Sequence, residues 1–265
     1  MFSPFQIIVR YLQYYLAASN GKGHGMHSPF VFDFITKILN DDRKFYAYDS
    51  IEMQRQLFLQ DQRSLVVDDF GAGSRVEKKR ARTVAEIAKS SLKPAKYGQL
   101  LFRMIDYYGP ENILELGTSL GITTAYLASS KLGSQVTTFE GASEVAEIAK
   151  EGFMKQGLKN IELIEGNFDE TLQPIINKVQ SVDFAFIDGN HRYEPTVRYF
   201  RTLLPRIHED SILVFDDIHW SAEMENAWQT IKNDPAVTLS IDLFFIGIVF
   251  FRKEQLVKQA FKIRF

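Results

Sequence analysis

The segment ILELGTSLG at residues 113–121 decides the fold of this chain. An apolar run at 112–116 breaks into a loop with two glycines, and a helical stretch follows at 122–130. A second apolar run, at 136–139, ends on Glu140. This order predicts a strand, a glycine turn, a helix and a second strand with a carboxylate at its tip. Such a unit suits a nucleoside ligand, because glycines let the ligand approach the backbone and the acid can accept hydrogen bonds from ribose.

Beyond residue 112 the chain alternates short apolar runs with helical stretches, which predicts an α/β fold with a Rossmann-like, mostly parallel sheet. The last two runs are too close for a crossover helix, so they predict an antiparallel hairpin at one edge of the sheet. The seven predicted strands are 112–116, 135–139, 161–164, 182–187, 211–215, 237–241 and 244–251. The helices predicted between them are 121–131, 143–156, 169–178, 193–204 and 221–233.

The region before residue 95 has a different character, and we interpret residues 1–94 as a helical N-terminal extension or lid on a domain at 95–265. Helical spacing occurs at 5–18, 29–39, 77–90 and 97–108. The stretch LVVDDFGAGS at 65–74 resembles a strand that enters a nucleotide-binding turn, but a basic stretch follows it instead of an apolar helix and a second buried strand. We therefore interpret it as a structural or lid loop.

Composition excludes several classes of protein. The net charge of −2 gives no reason to expect nucleic-acid binding. The absence of cysteine excludes disulfides and thiolate metal sites. Arg10 interrupts the apolar N-terminus, and no apolar run reaches membrane-spanning length, so neither a signal peptide nor a membrane span is expected. The expected location is the cytoplasm.

The glycine turn indicates which cofactor binds. A dinucleotide fold requires Gly-x-Gly-x-x-Gly, whereas here Glu115 precedes Gly117 and Gly121 in the pattern Glu-x-Gly-x-x-x-Gly. A carboxylate at this strand end would repel a pyrophosphate and favour a cationic amino-acid group. The turn therefore favours S-adenosylmethionine over NAD, although a plain tight turn would have the same glycines.

Two further strand ends carry candidate cofactor residues. Glu140 is expected to bind the ribose, and its plain alternative is a cap for the helix that follows. At 165–168, Gly166, Asn167 and Phe168 follow the third apolar run, where Asn167 and Phe168 would contact the edge and face of adenine. Ordinary loop and helix-start chemistry explains the last three residues almost equally well.

Acids also end the fourth and fifth runs, and they predict a metal site. Asp188 follows the run at 182–187, and Asp216 and Asp217 follow the run at 211–215. Three carboxylates at neighbouring strand ends would repel one another without a counter-ion, and oxygen ligands in this number suit Mg²⁺ or Ca²⁺. His191 is the residue type best suited to proton transfer near neutral pH, and a hydrogen-bonding or capping role is its equal alternative.

Taken in order, these motifs resemble the class I S-adenosylmethionine-dependent methyltransferases, most closely the catechol O-methyltransferase-like, metal-dependent group. The resemblance covers residues 96–251 and includes AKYGQLL at 95–101, ILELGTSLG, FIDGNH at 186–191 and FDD at 215–217. It implies that Glu140 holds the ribose, that Asn167 lies by the adenine, and that the methionine part is lined by Glu115, Gly117, Ser119 and Gly121. We also expect cofactor contacts from Thr118, Gly166, Phe168 and Asp188. The resemblance also implies that Asp188, Asp216 and Asp217 hold a divalent metal.

Two positions depart from the catechol enzymes. His191 stands where they have a lysine near the reacting hydroxyl, and Gly189 stands where they have an aromatic residue on the adenine side. The resemblance therefore predicts the cofactor more directly than it predicts which residue is the base or how adenine packs. The expected reaction is metal-assisted methylation of a small-molecule hydroxyl, with His191 as the base and Asp188 as its catalytic partner.

Several alternatives and secondary features remain. The alternative functions are a metal-independent methyltransferase, a non-catalytic cofactor-binding protein and, less favoured, a nicotinamide-dependent oxidoreductase. His219 and Trp220 either line the acceptor site or pack in the core. The stretch GHGMHSPF at 23–30 is either a lid over the acceptor or a packed helix-start loop. The aromatic residues of the predicted edge hairpin suggest a homodimer interface: Phe244, Phe245, Phe250 and Phe251.

Overall fold

The structure is a computed structural model that describes residues 1–68 and 79–265. Its α-helices are α1 Pro4–Ala17, α2 Pro29–Asp33, α3 Tyr46–Gln60, α4 Val84–Ser91, α5 Ala95–Tyr108, α6 Ile122–Ser130, α7 Ser143–Lys155, α8 Phe168–Lys178, α9 Tyr193–Leu203 and α10 Ala222–Asn233. A π-helix at Phe34–Leu39 continues α2, and a 3₁₀ turn at Leu204–Arg206 follows α9. The strands are β1 Ser64–Asp68, β2 Lys79–Thr83, β3 Asn112–Leu116, β4 Gln135–Glu140, β5 Ile161–Glu165, β6 Phe184–Ile187, β7 Ile212–Asp216, β8 Leu239–Asp242, β9 Ile246–Phe250 and β10 Gln259–Lys262.

The α/β alternation predicted beyond residue 112 is confirmed, with every predicted strand and helix present and its bounds close to the prediction. Strand β10 was not predicted. Its sequence, QAFK, is short and its side chains alternate between partly buried and exposed, so it lacks the apolar run that identified the other strands.

The chain divides into two compact units, residues 1–40 with 176–265 and residues 41–175. The predicted boundary between residues 94 and 95 stays a prediction. In the first unit the strands lie in the order β10-β8-β9-β7-β6. Strands β6 and β7 are parallel, β9 is antiparallel to both β7 and β8, and β10 is parallel to β8.

The predicted hairpin of β8 and β9 is confirmed, but it is not the edge of the sheet. Strand β9 lies between β7 and β8, and β10 pairs outside β8. The aromatic side chains at Phe244, Phe250 and Phe251 are buried. They pack inside the folded chain and so give no support to an interface at this hairpin, and the homodimer stays a prediction.

Helix α1 packs on the first unit through one side. Tyr14 and Ala18 form a buried cluster with Phe244, and the Tyr14 hydroxyl donates to the carbonyl oxygen of Ile263. The backbone of Ser19 pairs with Ile263 just after β10. The C-terminal strand therefore holds the end of α1.

The stretch at 23–30 packs as the start of a helix. Ser28 caps α2 and Pro29 is its first residue. The Phe30 ring lies 4.9 Å from the ring of Phe250. Phe250 pairs with Ile212 at the beginning of β7, whereas Asp216 ends that strand. These contacts support the packed-loop interpretation over the acceptor lid.

In the second unit β3, β4 and β5 are parallel and adjacent in that order. A core cluster joins α3, α4 and α5 to α6 and α7. Part of the N-terminal prediction is wrong here. Residues 79–83 form a strand, since the capping box of Thr83 and Glu86 starts α4 only at Val84. Helix α3 was missed because its sequence is rich in polar residues, which weakens the apolar spacing.

Strands β1 and β2 pair antiparallel with each other. The stretch at 65–74 therefore begins in a strand of an antiparallel pair. It does not begin a βαβ unit, and none was predicted here from the sequence. Residues 69–74 of that stretch lie outside the described residues. Within 1–68 and 79–265, no helix combines the length and hydrophobicity needed to span a bilayer.

Candidate functional site

The glycine turn after β3 has an unusual backbone. Gly117, Ser119 and Gly121 all have positive φ, at 110°, 47° and 77°. Glycine adopts these angles without strain, whereas Ser119 does so at a steric cost. The backbone N–H groups of Gly117 and Thr118 both donate to the carbonyl oxygen of Phe139 on β4. The turn is thus fixed to the end of the neighbouring strand.

Gly121 is required for a second reason. A Cβ atom placed there would lie 2.5 Å from the ring of Phe153 on α7. Gly121 also caps α6 in the left-handed conformation. The absence of a side chain therefore lets α6 and α7 approach each other beside the turn.

We expect Gly121→Ala to lower the free energy of unfolding by more than the strain of placing alanine at a positive φ. Gly157 also has a positive φ, of 69°, but its Cβ would meet nothing within 4 Å. Gly157→Ala should therefore cost about 1 kcal/mol of unfolding free energy, and Gly121→Ala about 1–3 kcal/mol more because it overpacks Phe153. Urea denaturation of both variants measures the difference. Equal losses would show that the contact with Phe153 relaxes freely.

Glu115 lies beneath the turn. Its side chain is fully buried, and its carboxylate accepts hydrogen bonds from the hydroxyls of Thr124 on α6 and Thr138 on β4. The Thr138 hydroxyl also lies 2.6 Å from that of Thr118. Glu115 thus ties β3, β4 and α6 together, and its contact with the methionine part of a cofactor stays a prediction. The roles of Thr124 and Thr138 could not be predicted from sequence, because the two residues come from separate elements.

Glu140 ends β4 beside the same turn. The backbone N–H of Ser119 donates to its Oε2 at 2.8 Å, and that of Ala142 donates to its Oε1 at 2.9 Å. Burial raises the pKa of the Glu140 carboxyl above its ordinary value, and the N–H groups of Ala142, Ser119 and Gly141 oppose that rise. The carboxylate is therefore held in a fixed orientation next to the glycine turn.

Two contacts near this point were not predicted from the sequence. The Ser119 hydroxyl lies 3.0 Å from that of Ser91, the last residue of α4. The Gly166 N–H donates to the carbonyl oxygen of Glu140 at 2.9 Å, and Gly166 has a φ of 125°. The ends of β3, β4 and β5 and the end of α4 therefore meet around one carboxylate.

Asn167 and Phe168 begin α8. Oδ1 of Asn167 accepts a hydrogen bond from the backbone N–H of Asp169, which is a helix-start contact. The Phe168 ring packs edge-on to Phe139 with the centroids 6.4 Å apart. Both residues follow β5 directly, so they lie at the same sheet edge as Glu140, and their contact with adenine stays a prediction.

The predicted metal residues belong to the first unit. Asp188 follows β6 and Asp216 ends β7, and the two strands are parallel with Ile187 opposite Phe215. One ligand atom each of Asp188, His191 and Asp216 lies within 4.8 Å of the others. Asp216 is only 1% exposed, and Nε2 of His191 is 3.3 Å from Oδ1 of Asp188. We refer to these three residues as the acid–histidine cluster.

The backbone accounts for the place of His191. Asn190 and His191 have φ values of 68° and 32°, so the chain turns sharply after Asp188 and brings the imidazole back to its carboxylate. Asp217 has a φ of 52° and does not belong to the metal-compatible group found among the described residues. The structure thus brings together two of the three predicted metal ligands, with His191 in the place expected for the third.

The acid–histidine cluster suits a divalent cation. Two carboxylates at this separation repel each other, and a cation between them removes that repulsion. Carboxylate oxygens suit Mg²⁺ and Mn²⁺, and an imidazole nitrogen extends the range to other transition metals. The two carboxylates and the imidazole of the acid–histidine cluster therefore fit the predicted divalent metal ion.

His219 and Trp220 follow β7 but serve the packing of the first unit. Nε2 of His219 lies 3.0 Å from Oδ2 of Asp242, and its ring stacks on Phe244 at 5.1 Å. The carbonyl oxygen of Trp220 accepts a hydrogen bond from the N–H of Phe2. These contacts favour the packing interpretation over the acceptor-lining one.

Comparison with known proteins identifies the domain. Residues 114–218 match the family model described as a methyltransferase domain. An uncharacterized protein of Acanthamoeba polyphaga mimivirus is 31% identical over 72 residues, which is 26% of this chain and 33% of the viral protein. The chain thus matches only about a third of the length of that curated relative.

Three solved methyltransferases share the fold. An O-methyltransferase from Bacillus cereus in complex with SAH is 21% identical, with a TM-score of 0.58 and 83% of this chain and 97% of that chain covered. An SAH-bound methyltransferase from Podospora anserina is 15% identical, with a TM-score of 0.59 and coverages of 85% and 97%. The O-methyltransferase involved in tomaymycin synthesis in Streptomyces achromogenes, in complex with SAM, is 14% identical, with a TM-score of 0.56 and coverages of 82% and 95%. Residues 114–218 of this chain therefore match a methyltransferase domain, and the chain has the fold that these three solved methyltransferases share.

Proposed function

We propose that this protein methylates a hydroxyl group of a small molecule, with S-adenosylmethionine as the methyl donor and a divalent cation, Mg²⁺ or a similar ion, as a resident cofactor. The observation that carries the proposal is the acid–histidine cluster at the ends of β6 and β7, inside a methyltransferase domain. A non-catalytic protein that only bound S-adenosylmethionine would not need two carboxylates and an imidazole at the ends of β6 and β7. We place the reaction in the cytoplasm.

The cofactor residues of the proposal belong to the second unit, apart from Asp188, which belongs to the first. Glu140 accepts the ribose hydroxyls, and the turn of Gly117, Thr118, Ser119 and Gly121 surrounds the methionine part. Support comes from the Glu140 carboxylate, which the N–H groups of Ser119 and Ala142 already orient. Glu115 contributes its negative charge from beneath the turn. Gly166, Asn167 and Phe168 hold the adenine, with Asp188 beside the cofactor.

The metal residues of the proposal are Asp188, Asp216 and Asp217. When bound there, a divalent cation would lower the pKa of a substrate hydroxyl and fix the orientation of that hydroxyl. Asp216 would supply its ligand from the end of a buried strand, which keeps the position of the site accurate.

The proposed step balances as an in-line displacement. The acceptor oxygen forms a bond to the methyl carbon, the carbon–sulfur bond breaks, and its electron pair returns to sulfur to give a neutral thioether. The acceptor's proton passes to Nδ1 of His191, while Nε2 lies 3.3 Å from Oδ1 of Asp188, whose charge stabilises the imidazolium that forms. Most of the rate gain is expected from positioning, since the sulfonium is already reactive.

One assay tests this function against its rivals. We expect transfer of label from S-[methyl-³H]adenosylmethionine to at least one member of a panel of catechols, phenols and sugars, with the activity lost on EDTA treatment and restored by Mg²⁺ or Mn²⁺. Turnover that survives EDTA would support a metal-independent methyltransferase. Binding of the cofactor without turnover would support a non-catalytic protein. Binding of NAD in its place would support the oxidoreductase.

A further inference from the structure

The outward side of α1 is apolar along its whole length. Six large hydrophobic side chains of α1 are exposed, and the five most exposed of them, from 43% for Tyr15 to 81% for Leu16, form one strip. We call this strip the outer face of α1: Phe5, Ile8, Leu12, Tyr15 and Leu16. At 100° per residue these positions fall within an arc of roughly 100°. The opposite side, with Tyr14, packs on Phe244.

Such a strip does not arise from the needs of the fold. The inner side of α1 already supplies the contacts that hold it, and exposed aliphatic and aromatic side chains in one contiguous strip mark a surface that binds something. Tyr15 with Phe5 adds the aromatic character of residues that lie at the boundary between lipid and water.

Charge indicates what the outer face binds. The chain has no Asp or Glu before Asp33, although it carries 33 acids in all. Basic residues gather near the end of the helix: the guanidinium of Arg264 lies 4.2 Å over the Tyr15 ring and donates to the Tyr15 carbonyl oxygen. Ser19, just after α1, pairs with Ile263. Lys22 is three residues after Ser19 and Lys262 directly precedes Ile263, so both lysines belong to the segments at this end of the helix. An apolar strip bordered by cations complements an anionic lipid surface.

A second copy of the chain fits this face less well. A helix of 14 residues is about 21 Å long, so a strip about 10 Å wide offers roughly 200 Å². A stable protein interface needs about 800 Å² from each partner. A bilayer sets no such requirement, because side chains enter it one by one.

We propose that α1 docks this protein on the surface of an anionic lipid bilayer, with the outer face of α1 in the headgroup region and Lys22, Lys262 and Arg264 on the lipid phosphates. The helix lies in the plane of the membrane and does not cross it. This surface serves to bring the protein to a membrane and takes no part in the methyl-transfer chemistry proposed above.

Co-sedimentation of the full chain with vesicles tests the proposal. We expect binding to vesicles of phosphatidylcholine and phosphatidylglycerol in equal parts, at least about tenfold weaker binding to phosphatidylcholine alone, and loss of binding in molar salt, where the Debye length falls to about 3 Å. The double variant Ile8→Ser with Leu12→Ser should bind at least about tenfold more weakly, because it removes two apolar anchors. Lys22→Gln with Lys262→Gln should weaken binding to the anionic vesicles alone.

Met154→Gln is the matched control, since Met154 is 73% exposed but lies on α7. It should bind vesicles like the wild type, and circular dichroism should show that all variants remain folded. Equal binding by the wild type and the Ile8/Leu12 double variant, or no binding at all, would overturn the proposal. If the wild type ignores vesicles while the double variant alone changes from dimer to monomer in light scattering, a second copy is the occupant instead.

Discussion

Replacing Asp216 with asparagine is expected to abolish methyl transfer while S-adenosylmethionine still binds. Asp216 is 1% exposed and ends β7, where it joins Asp188 and His191. Asparagine has nearly the same shape, so the strand end should keep its form while the site loses one negative charge. A divalent metal contributes several kcal/mol to such a reaction, so we expect kcat to fall roughly a hundredfold or more.

The measurement combines turnover with two binding experiments. Calorimetry should give an unchanged Kd for S-adenosylmethionine, and Mn²⁺ titration followed by electron paramagnetic resonance should show weaker metal binding. Asp210→Asn is the matched control, because it removes a carboxylate from an exposed position just before β7. An Asp216→Asn enzyme with normal turnover and normal Mn²⁺ affinity would refute the metal site.

The same titration separates the roles of two neighbours. His191→Gln should leave Mn²⁺ affinity unchanged if His191 only accepts the proton, and should weaken it if the imidazole is a ligand, as its place in the acid–histidine cluster suggests. Asp217→Asn should weaken Mn²⁺ binding if Asp217 is a third ligand, as the family resemblance implies.

Asp216→Asn should lower the activity of the protein without lowering its thermal stability. Without a cation, Asp216 and Asp188 are two carboxylates held together with one of them buried, and removing one of those charges relieves repulsion. Asp216→Asn should therefore unfold at the same temperature as the metal-free wild type or at a higher one. Added Mg²⁺ should stabilise the wild type and leave the variant unaffected.

The parts of the fold that could be predicted are those whose physical cause is local. The buried runs that became β3, β6 and β7 are short, apolar and bounded by turn residues, so their periodicity identifies them. A residue at the end of such a strand, or directly after it, lies at the carboxyl edge of the sheet, which is why the sequence predicted the positions of Glu140 at the end of β4 and Asp188 after β6.

What could not be predicted depends on contacts between distant segments. Strand β10 exists because Gln259–Lys262 pairs with β8, and its own pattern gives no sign of this. The fixing of Glu140 by Ser119 and the tie of Glu115 to Thr138 join residues more than twenty positions apart. His191 enters the acid–histidine cluster through a left-handed turn at Asn190 and His191, a conformation that is uncommon for residues other than glycine.

Glu140→Gln is expected to weaken S-adenosylmethionine binding strongly and to leave the fold intact. A carboxylate that accepts two ribose hydroxyls forms charge-assisted hydrogen bonds worth about 1.5–3 kcal/mol each. Glutamine keeps one acceptor oxygen without the charge, so we expect Kd to rise roughly tenfold to a hundredfold. Its amide nitrogen would also face one of the two backbone N–H groups, those of Ser119 and Ala142, that now donate to the carboxylate.

The pH dependence of binding gives a sharper test. Burial raises the pKa of Glu140, so the native state binds this proton more tightly than the unfolded chain does. For an acid with a raised pKa, the stabilising contribution is fully present below its ordinary pKa and is lost as the pH rises through the raised value. At neutral pH the ionised Glu140 therefore costs stability, and Glu140→Gln should melt at the same temperature as the wild type or slightly higher.

Cofactor affinity should follow the opposite course, because the ribose needs the carboxylate. Wild-type affinity should fall as the pH drops through the pKa of Glu140, while the affinity of Glu140→Gln should stay low and nearly flat. Calorimetry across the acidic range measures both curves, and Glu147→Gln is the control, since Glu147 is an exposed acid on the neighbouring helix α7. If Glu140→Gln binds the cofactor as tightly as Glu147→Gln does, Glu140 only orders the glycine turn and the ribose is held by other groups.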